Sequence, residues 1–76
     1  MTDKKTVRRN MIRLRKENDL RQEDIAKRLR MPRNTYAAYE QGYAMPNIVT
    51  LSQIAEIYDI SLGKLIGEEK EGEDQL

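Results

Sequence analysis

Residues 21–42 read RQEDIAKRLRMPRNTYAAYEQG, and this stretch decides the fold. Its first part, residues 22–29, has apolar side chains at helical spacing and two carboxylates in the first turn, where they suit the positive end of the helix dipole. Pro32 interrupts this helix, because proline disfavours helical backbone in the preceding residue and fits the first turn of a new helix. The new helix begins at this proline or one residue later, runs to about residue 41 and stops at Gly42. Two short helices with so short a connection are typical of a helix-turn-helix.

Helical periodicity continues on both sides of this stretch. Upstream, Val7, Met11 and Leu14 are spaced four and three residues apart, which places them on one side of an amphipathic helix. Downstream, Asn47 and Ser61 are good N-terminal caps for two more helices. The predicted outer helices cover about residues 4–17, Ile48 to Tyr58 and Leu62 to Ile66. The sequence therefore predicts a compact all-α protein of five helices.

Length and charge distribution indicate the domain organisation. With 76 residues the chain has room for one small domain, which we assign to residues 1–67. Residues 68–76 are acidic and almost free of core-forming side chains, so we predict a disordered tail there. Residues 1–40 carry twelve basic and six acidic side chains, whereas residues 41–76 carry two basic and seven acidic ones. The first part of the chain is therefore basic and suited to a polyanion, and the second part is acidic.

The basic residues are densest near the N-terminus. The cluster comprises Lys4, Lys5, Arg8, Arg9 and Arg13. Two interpretations stay open: these side chains form the solvated side of the first helix, or they add to a positive field that attracts nucleic acid.

Composition disfavours several classes of function. The chain has no cysteine and no histidine, which removes disulfides, thiolate chemistry, and the commonest metal ligand and general base. We therefore predict that it is not an enzyme and has no metal site, cofactor or ligand pocket. No apolar run approaches the roughly 20 residues of a membrane span, and the first residues lack the apolar stretch of a signal peptide. We expect a cytoplasmic protein without a membrane partner.

Four stretches carry a resemblance to a known family. They are LRKENDLRQEDIAKRL (14–29), PRNTYAAYEQG (32–42), PNIVTL (46–51) and ISLGKLIG (60–67). Together they resemble the DNA-binding domain of lambda-repressor-like, Cro-type regulators of bacteria and phages, also called the Xre family. The resemblance covers roughly residues 8–67. It implies a five-helix fold whose third helix lies in the major groove of double-stranded DNA, in a nucleoid-associated protein of bacterial or phage origin.

The resemblance also implies roles for individual positions. Gln22 matches a position that usually contacts a phosphate, and Arg33, Asn34 and Ala38 match base-contacting positions of the third helix. Tyr43 falls in a loop where relatives often carry a basic or amide side chain facing the DNA backbone, so its hydroxyl is a candidate phosphate contact.

The resemblance also implies a salt bridge, and the sequence differs from the family pattern at several positions. Arg15 and Glu40 match a pair that commonly forms a salt bridge between the first and third helices. Arg21 replaces the usual hydroxyl cap of the second helix, at an expected cost of about 1 kcal/mol unless a phosphate or water satisfies the open N–H groups. Arg30 occupies a turn position where glycine is common, and a left-handed backbone there costs roughly 1 kcal/mol. Asp59 tolerates such a conformation better.

The composition of the third helix points to base contact without the family. On a helical wheel one side carries Arg33, Asn34, Ala37 and Ala38, and the other carries Tyr36 and Tyr39. Arginine can hold guanine and asparagine can hold adenine with paired hydrogen bonds, and alanine can touch a thymine methyl group. Plainer interpretations stay open, since alanine is the best helix former, an arginine can be merely solvated, and Asn34 can bond a phosphate instead. For Thr35 two interpretations stay open: it contacts a DNA phosphate, or it lies at the edge of the core.

One recognition helix covers too few base pairs to single out a genomic site, so we predict a homodimer on a palindromic operator. Ile57, Ile60 and Leu62 are the candidate dimer surface, although all three can equally be core. The resulting prediction is a transcriptional repressor that occludes a promoter. The alternative is an antitoxin-like or other protein-interaction module with secondary DNA binding, and a regulatory protein partner fits either one.

Overall fold

A computed structural model of the protein describes residues 3–68, and within that range it contains five α-helices and no strand. The helices are α1 (Lys4–Glu17), α2 (Gln22–Arg28), α3 (Arg33–Gln41), α4 (Ile48–Ile57) and α5 (Leu62–Ile66). The predicted all-α fold is confirmed, and each helix ends within one residue of the position expected from sequence. The predicted disordered tail lies, beyond Glu68, outside the described residues.

One hydrophobic core joins all five helices. Its buried residues are Val7, Met11, Leu14, Ile25, Ala26, Leu29, Tyr36, Leu51, Ile54, Ala55 and Leu65. They include the stripe of Val7, Met11 and Leu14 that the helical periodicity predicts. Helix α1 packs against both α3 and α5, while α2 packs on α3. The core therefore fixes α3 against two other helices.

The helix N-termini fall into two groups. Asp3, Asn47 and Ser61 cap α1, α4 and α5, because each side chain accepts a backbone N–H bond three residues on, at 2.8, 2.9 and 3.1 Å. Arg21 and Pro32 precede α2 and α3 and supply no such bond. Neither helix of the helix-turn-helix is therefore capped by the side chain of the residue before it, as the sequence predicts for Arg21. At α2 the Asp24 carboxylate instead accepts the Arg21 N–H at 2.7 Å.

Each helix ends with a left-handed residue, in the turn known as a Schellman motif. These residues are Asp19, Arg30, Gly42, Asp59 and Gly67. The next residue in each case donates its N–H to a carbonyl five residues back, as Met31 does to Ala26 at 3.0 Å. Arg30 has φ +58°, so the strained turn residue that the sequence predicts is present. These turns bring Leu20, Met31 and Ile60 back onto the core.

Candidate nucleic-acid interface

The two sides of α3 differ in exposure. Tyr36, Ala37 and Glu40 are buried, and they share one side because they are separated by one, three and four residues. Arg33, Asn34 and Thr35, in the first turn, are exposed, and Ala38 is half-buried beyond them. Ala37, which the helical wheel groups with the exposed residues, has only 6% of its surface exposed.

Inside the domain, a buried carboxylate connects three helices. Glu40 accepts hydrogen bonds from Arg15 Nε at 2.8 Å, Arg15 Nη2 at 3.0 Å, the Tyr36 hydroxyl at 2.6 Å and Gln22 Nε2 at 3.0 Å. Arg15 also donates Nη1 to the Leu20 carbonyl at 2.9 Å, in the turn after α1. The structure therefore contains the Arg15–Glu40 ion pair that the resemblance implies, with 14% and 4% of the side chains exposed.

The hydrogen bonds keep this carboxylate charged. Burial alone would raise the pKa of Glu40, but donation from Arg15, Tyr36 and Gln22 outweighs burial and holds the pKa below its ordinary value. Burial, reinforced by the hydrogen bond to Glu40, raises the pKa of the Tyr36 hydroxyl, so Tyr36 remains a neutral donor. The bond to Glu40 likewise raises the pKa of Arg15. A charged, fully hydrogen-bonded group thus fixes how α1, α2 and α3 meet.

Gln22 lies at the border between this interior network and the surface. It is half-buried at the start of α2, and its amide nitrogen donates to Glu40. A primary amide nitrogen has two N–H groups, so a second donor remains for another acceptor. The bond to Glu40 therefore orients Gln22 without using its full donor capacity.

The loop after α3 exposes Tyr43. Its backbone N–H closes the α3 turn by donating to the Ala38 carbonyl at 3.0 Å, while 83% of its surface is exposed. The side chain is therefore held at its base and open at its hydroxyl end. Thr35 is likewise exposed, which removes it from the edge of the core.

The apolar surface differs from the expectation. Ile57, Ile60 and Leu62, the candidate dimer surface, are half-buried and pack against the core. Among residues 3–68, the large apolar side chains exposed to solvent are instead Tyr43, Met45, Ile48 and Val49. Sequence reasoning missed this group. Ile48 falls at helical spacing with Leu51 and Ile54, which predicts burial, yet 59% of its surface is exposed.

Residues 3–68 contain neither a metal-binding cluster nor a membrane-spanning helix. Between residues 3 and 68 no three His, Cys, Asp or Glu side chains gather closely enough to hold a metal ion. None of the helices found there has the length and apolar character needed to cross a membrane.

Comparison with known proteins identifies relatives of this arrangement. The cryptic phage CTXphi transcriptional repressor RstR of Vibrio cholerae is 34% identical over 62 residues, which are 82% of this chain and 56% of that protein. The uncharacterized HTH-type transcriptional regulator YqaE of Bacillus subtilis (strain 168) is 40% identical over 63 residues, or 82% of this chain and 54% of that protein. The chain thus spans about half the length of the curated relatives it matches.

A solved structure and a protein family also match this chain. The crystal structure of a transcriptional regulator from Listeria innocua superposes with a TM-score of 0.77 at 30% identity, covering 91% of this chain and 64% of that one. The helix-turn-helix family matches residues 11–65. Those residues include α2, α3 and the whole Glu40 network. This chain therefore belongs to the helix-turn-helix family, in its lambda-repressor-like (Xre) branch.

Proposed function

We propose that the protein is a sequence-specific regulator of transcription that binds double-stranded DNA with α3 in the major groove. The observation that carries the proposal is the asymmetry of α3: Tyr36 and Glu40 fix its inner side, and Arg33 and Asn34 stand exposed in its first turn. A helix held in this way presents its N-terminal residues to base edges, which is how helix-turn-helix proteins dock.

Arg33 and Asn34 supply base contacts. The guanidinium of Arg33 is suited to O6 and N7 of guanine, and the amide of Asn34 is suited to N6 and N7 of adenine. Ala38, one turn further along, offers a methyl group to thymine. Ala37, with 6% of its surface exposed, has less surface to offer than Ala38.

Gln22, Thr35 and Tyr43 supply phosphate contacts. Gln22 has its orientation set by Glu40. Thr35, in the first turn of α3, and Tyr43, in the loop after it, have exposed side chains that carry a hydroxyl group. The first N–H groups of α3 can also face phosphate, because Pro32 supplies no side-chain cap. Such contacts set the register of α3 without reading sequence.

The biological unit we propose is a homodimer on a palindromic operator in the cytoplasm. A two-fold axis would place two α3 helices about 34 Å apart, one DNA turn, and would double the number of base pairs contacted. Two surfaces are candidates for the contact between the subunits. One is the half-buried group of Ile57, Ile60 and Leu62, and the other is the exposed group that includes Ile48 and Val49. Repression is supported by the similarity to a protein named as a repressor, and we propose occlusion of a promoter as its means.

Selection from a random duplex library, followed by footprinting, tests this function. We expect enrichment of a two-fold symmetric sequence with half-sites about one DNA turn apart. Binding to that sequence should weaken steeply as salt increases, because phosphate contacts release counterions. A pool that stays random after repeated selection would contradict the proposal and favour a protein-interaction module.

A further inference from the structure

A cleft of about 270 Å³ opens between the N-terminal half of α1 and the loop that joins α3 to α4. Its floor is apolar, since Val7, Met11 and Pro46 line it and are buried. On the loop side it is lined by Met45, one of the few large apolar side chains that the fold leaves exposed. An apolar cleft is therefore present in a chain whose sequence predicts none.

The charged residues around this cleft are all basic. Lys4, Lys5 and Arg8 line it, and no carboxylate from residues 3–68 does. Arg8 lies close to the end of α3, because its Nη1 is 2.7 Å from the position that a Cβ on Gly42 would occupy. Gly42 has φ +85° and ends α3, so the guanidinium lies against the C-terminal end of that helix, where a cation is favoured. The cleft thus combines an apolar floor with a placed cationic edge.

Volume limits the size of an occupant. If each non-hydrogen atom takes roughly 20–30 Å³, close to the share of one water molecule in the liquid, the cleft holds about ten such atoms. Ten atoms are enough for a carboxylate with a short aliphatic chain or a single aromatic ring.

We propose that this cleft binds a small amphipathic carboxylate of about ten non-hydrogen atoms. The apolar body packs on Val7, Met11 and Met45, and the carboxylate accepts hydrogen bonds from Arg8 with Lys4 and Lys5 close by. A phosphate contact from DNA would use the same cations but would leave the apolar floor uncovered. The proposal does not depend on DNA binding, so it stands or fails separately from the proposed function.

The test is a titration of the full chain with octanoate, followed by amide chemical shifts in NMR spectra. We expect saturable shifts at Val7, Arg8, Gly42 and Ala44, with a dissociation constant of about 1 mM or tighter. Acetate carries the charge without the chain and octanol carries the chain without the charge. Each should bind at least tenfold more weakly than octanoate, because the site requires both parts.

Two variants and a matched control locate the binding. Arg8→Gln should weaken octanoate binding about fivefold or more, whereas Arg9→Gln should leave it unchanged, because Arg9 is exposed on the same helix and does not line the cleft. Met45→Gln, at a position with 38% of its surface exposed, should also weaken binding and reduce the advantage of octanoate over acetate.

Three results would overturn the proposal. One is the absence of saturable shifts up to roughly 10 mM octanoate, about ten times the expected dissociation constant. Another is equal binding of acetate and octanoate, or equal effects of the Arg8 and Arg9 variants, which would reduce the site to general surface charge. The last is a change in the amide chemical shifts of cleft residues as the protein concentration alone increases, which would show that a second copy of the chain covers this surface.

Discussion

The inner and outer sides of α3 meet different physical demands. On the inner side, Glu40 is buried and its carboxylate is saturated by four hydrogen bonds from three other residues. On the outer side, Arg33 and Asn34 are exposed, and within residues 3–68 their side chains take no part in the domain's hydrogen bonds. The inner side therefore fixes the direction of the helix, and the outer side is left to a partner. Substitutions on the two sides should separate folding from recognition.

The largest effect is expected from Glu40→Ala. The change leaves the Arg15 guanidinium largely buried without its partner and removes the acceptor for Tyr36 and Gln22, so we expect a loss of about 3–5 kcal/mol in the free energy of unfolding. Chemical denaturation measures it. Glu17→Ala is the matched control, because Glu17 pairs with Arg13 on the exposed side of α1 and should contribute about 0.5 kcal/mol or less. Equal losses for the two variants would contradict the role given to the interior network.

Lowering the pH should reproduce part of the loss in unfolding free energy that we expect for Glu40→Ala. Because the pKa of Glu40 is lower in the folded chain than its ordinary value, the folded state is stabilised above the ordinary carboxyl pKa. That contribution disappears as the pH falls through the lowered pKa and the carboxylate takes up a proton. The unfolding free energy of the wild type should therefore fall more steeply on acidification than that of Glu40→Gln. Parallel curves would show that Glu40 does not set the acid sensitivity.

Arg33→Ala should leave folding intact and change recognition. We expect a loss of about 1–3 kcal/mol in binding to the selected operator and a relaxed preference at one base position of each half-site. Lys27→Ala, which removes an exposed cation from α2, is a control for general charge. Titration of each variant against single-base operator variants measures both quantities. If Arg33→Ala weakened all duplexes equally, Arg33 would be a backbone contact.

Gln22→Ala tests the border between the two sides. Removing the amide takes one of the four hydrogen bonds from Glu40, so we expect about 1 kcal/mol less stability. Binding should weaken by a similar factor on every sequence, because a phosphate contact carries no base information. Thermal unfolding and a selection repeated with the variant measure these effects. A changed base preference would place Gln22 among the base contacts instead.

Much of the fold could be predicted because the signals are local. Pro32, Gly42 and the caps Asn47 and Ser61 mark helix ends through backbone chemistry, and the stripe of Val7, Met11 and Leu14 marks a buried side. Such features depend on neighbours within a few residues.

Properties that depend on contacts between distant residues could not be predicted in the same way. The hydrogen bond from Gln22 to Glu40 joins side chains 18 residues apart, and no pattern within either helix indicates it. The burial of Ala37 was missed because a helical wheel gives direction but not how closely the neighbouring helices approach. The cleft beside Arg8 arises only when α1 meets the loop at Gly42.

The most direct test of the account is a competition between the selected operator and a shuffled duplex of the same composition, at a fixed near-physiological salt concentration. The wild-type chain should prefer the operator by about 1,000-fold or more. A variant carrying both Arg33→Ala and Asn34→Ala should lose most of that preference while its melting temperature and its binding to the shuffled duplex change little. Equal operator preference in the wild type and the variant would contradict the claim that the exposed first turn of α3 contacts the bases.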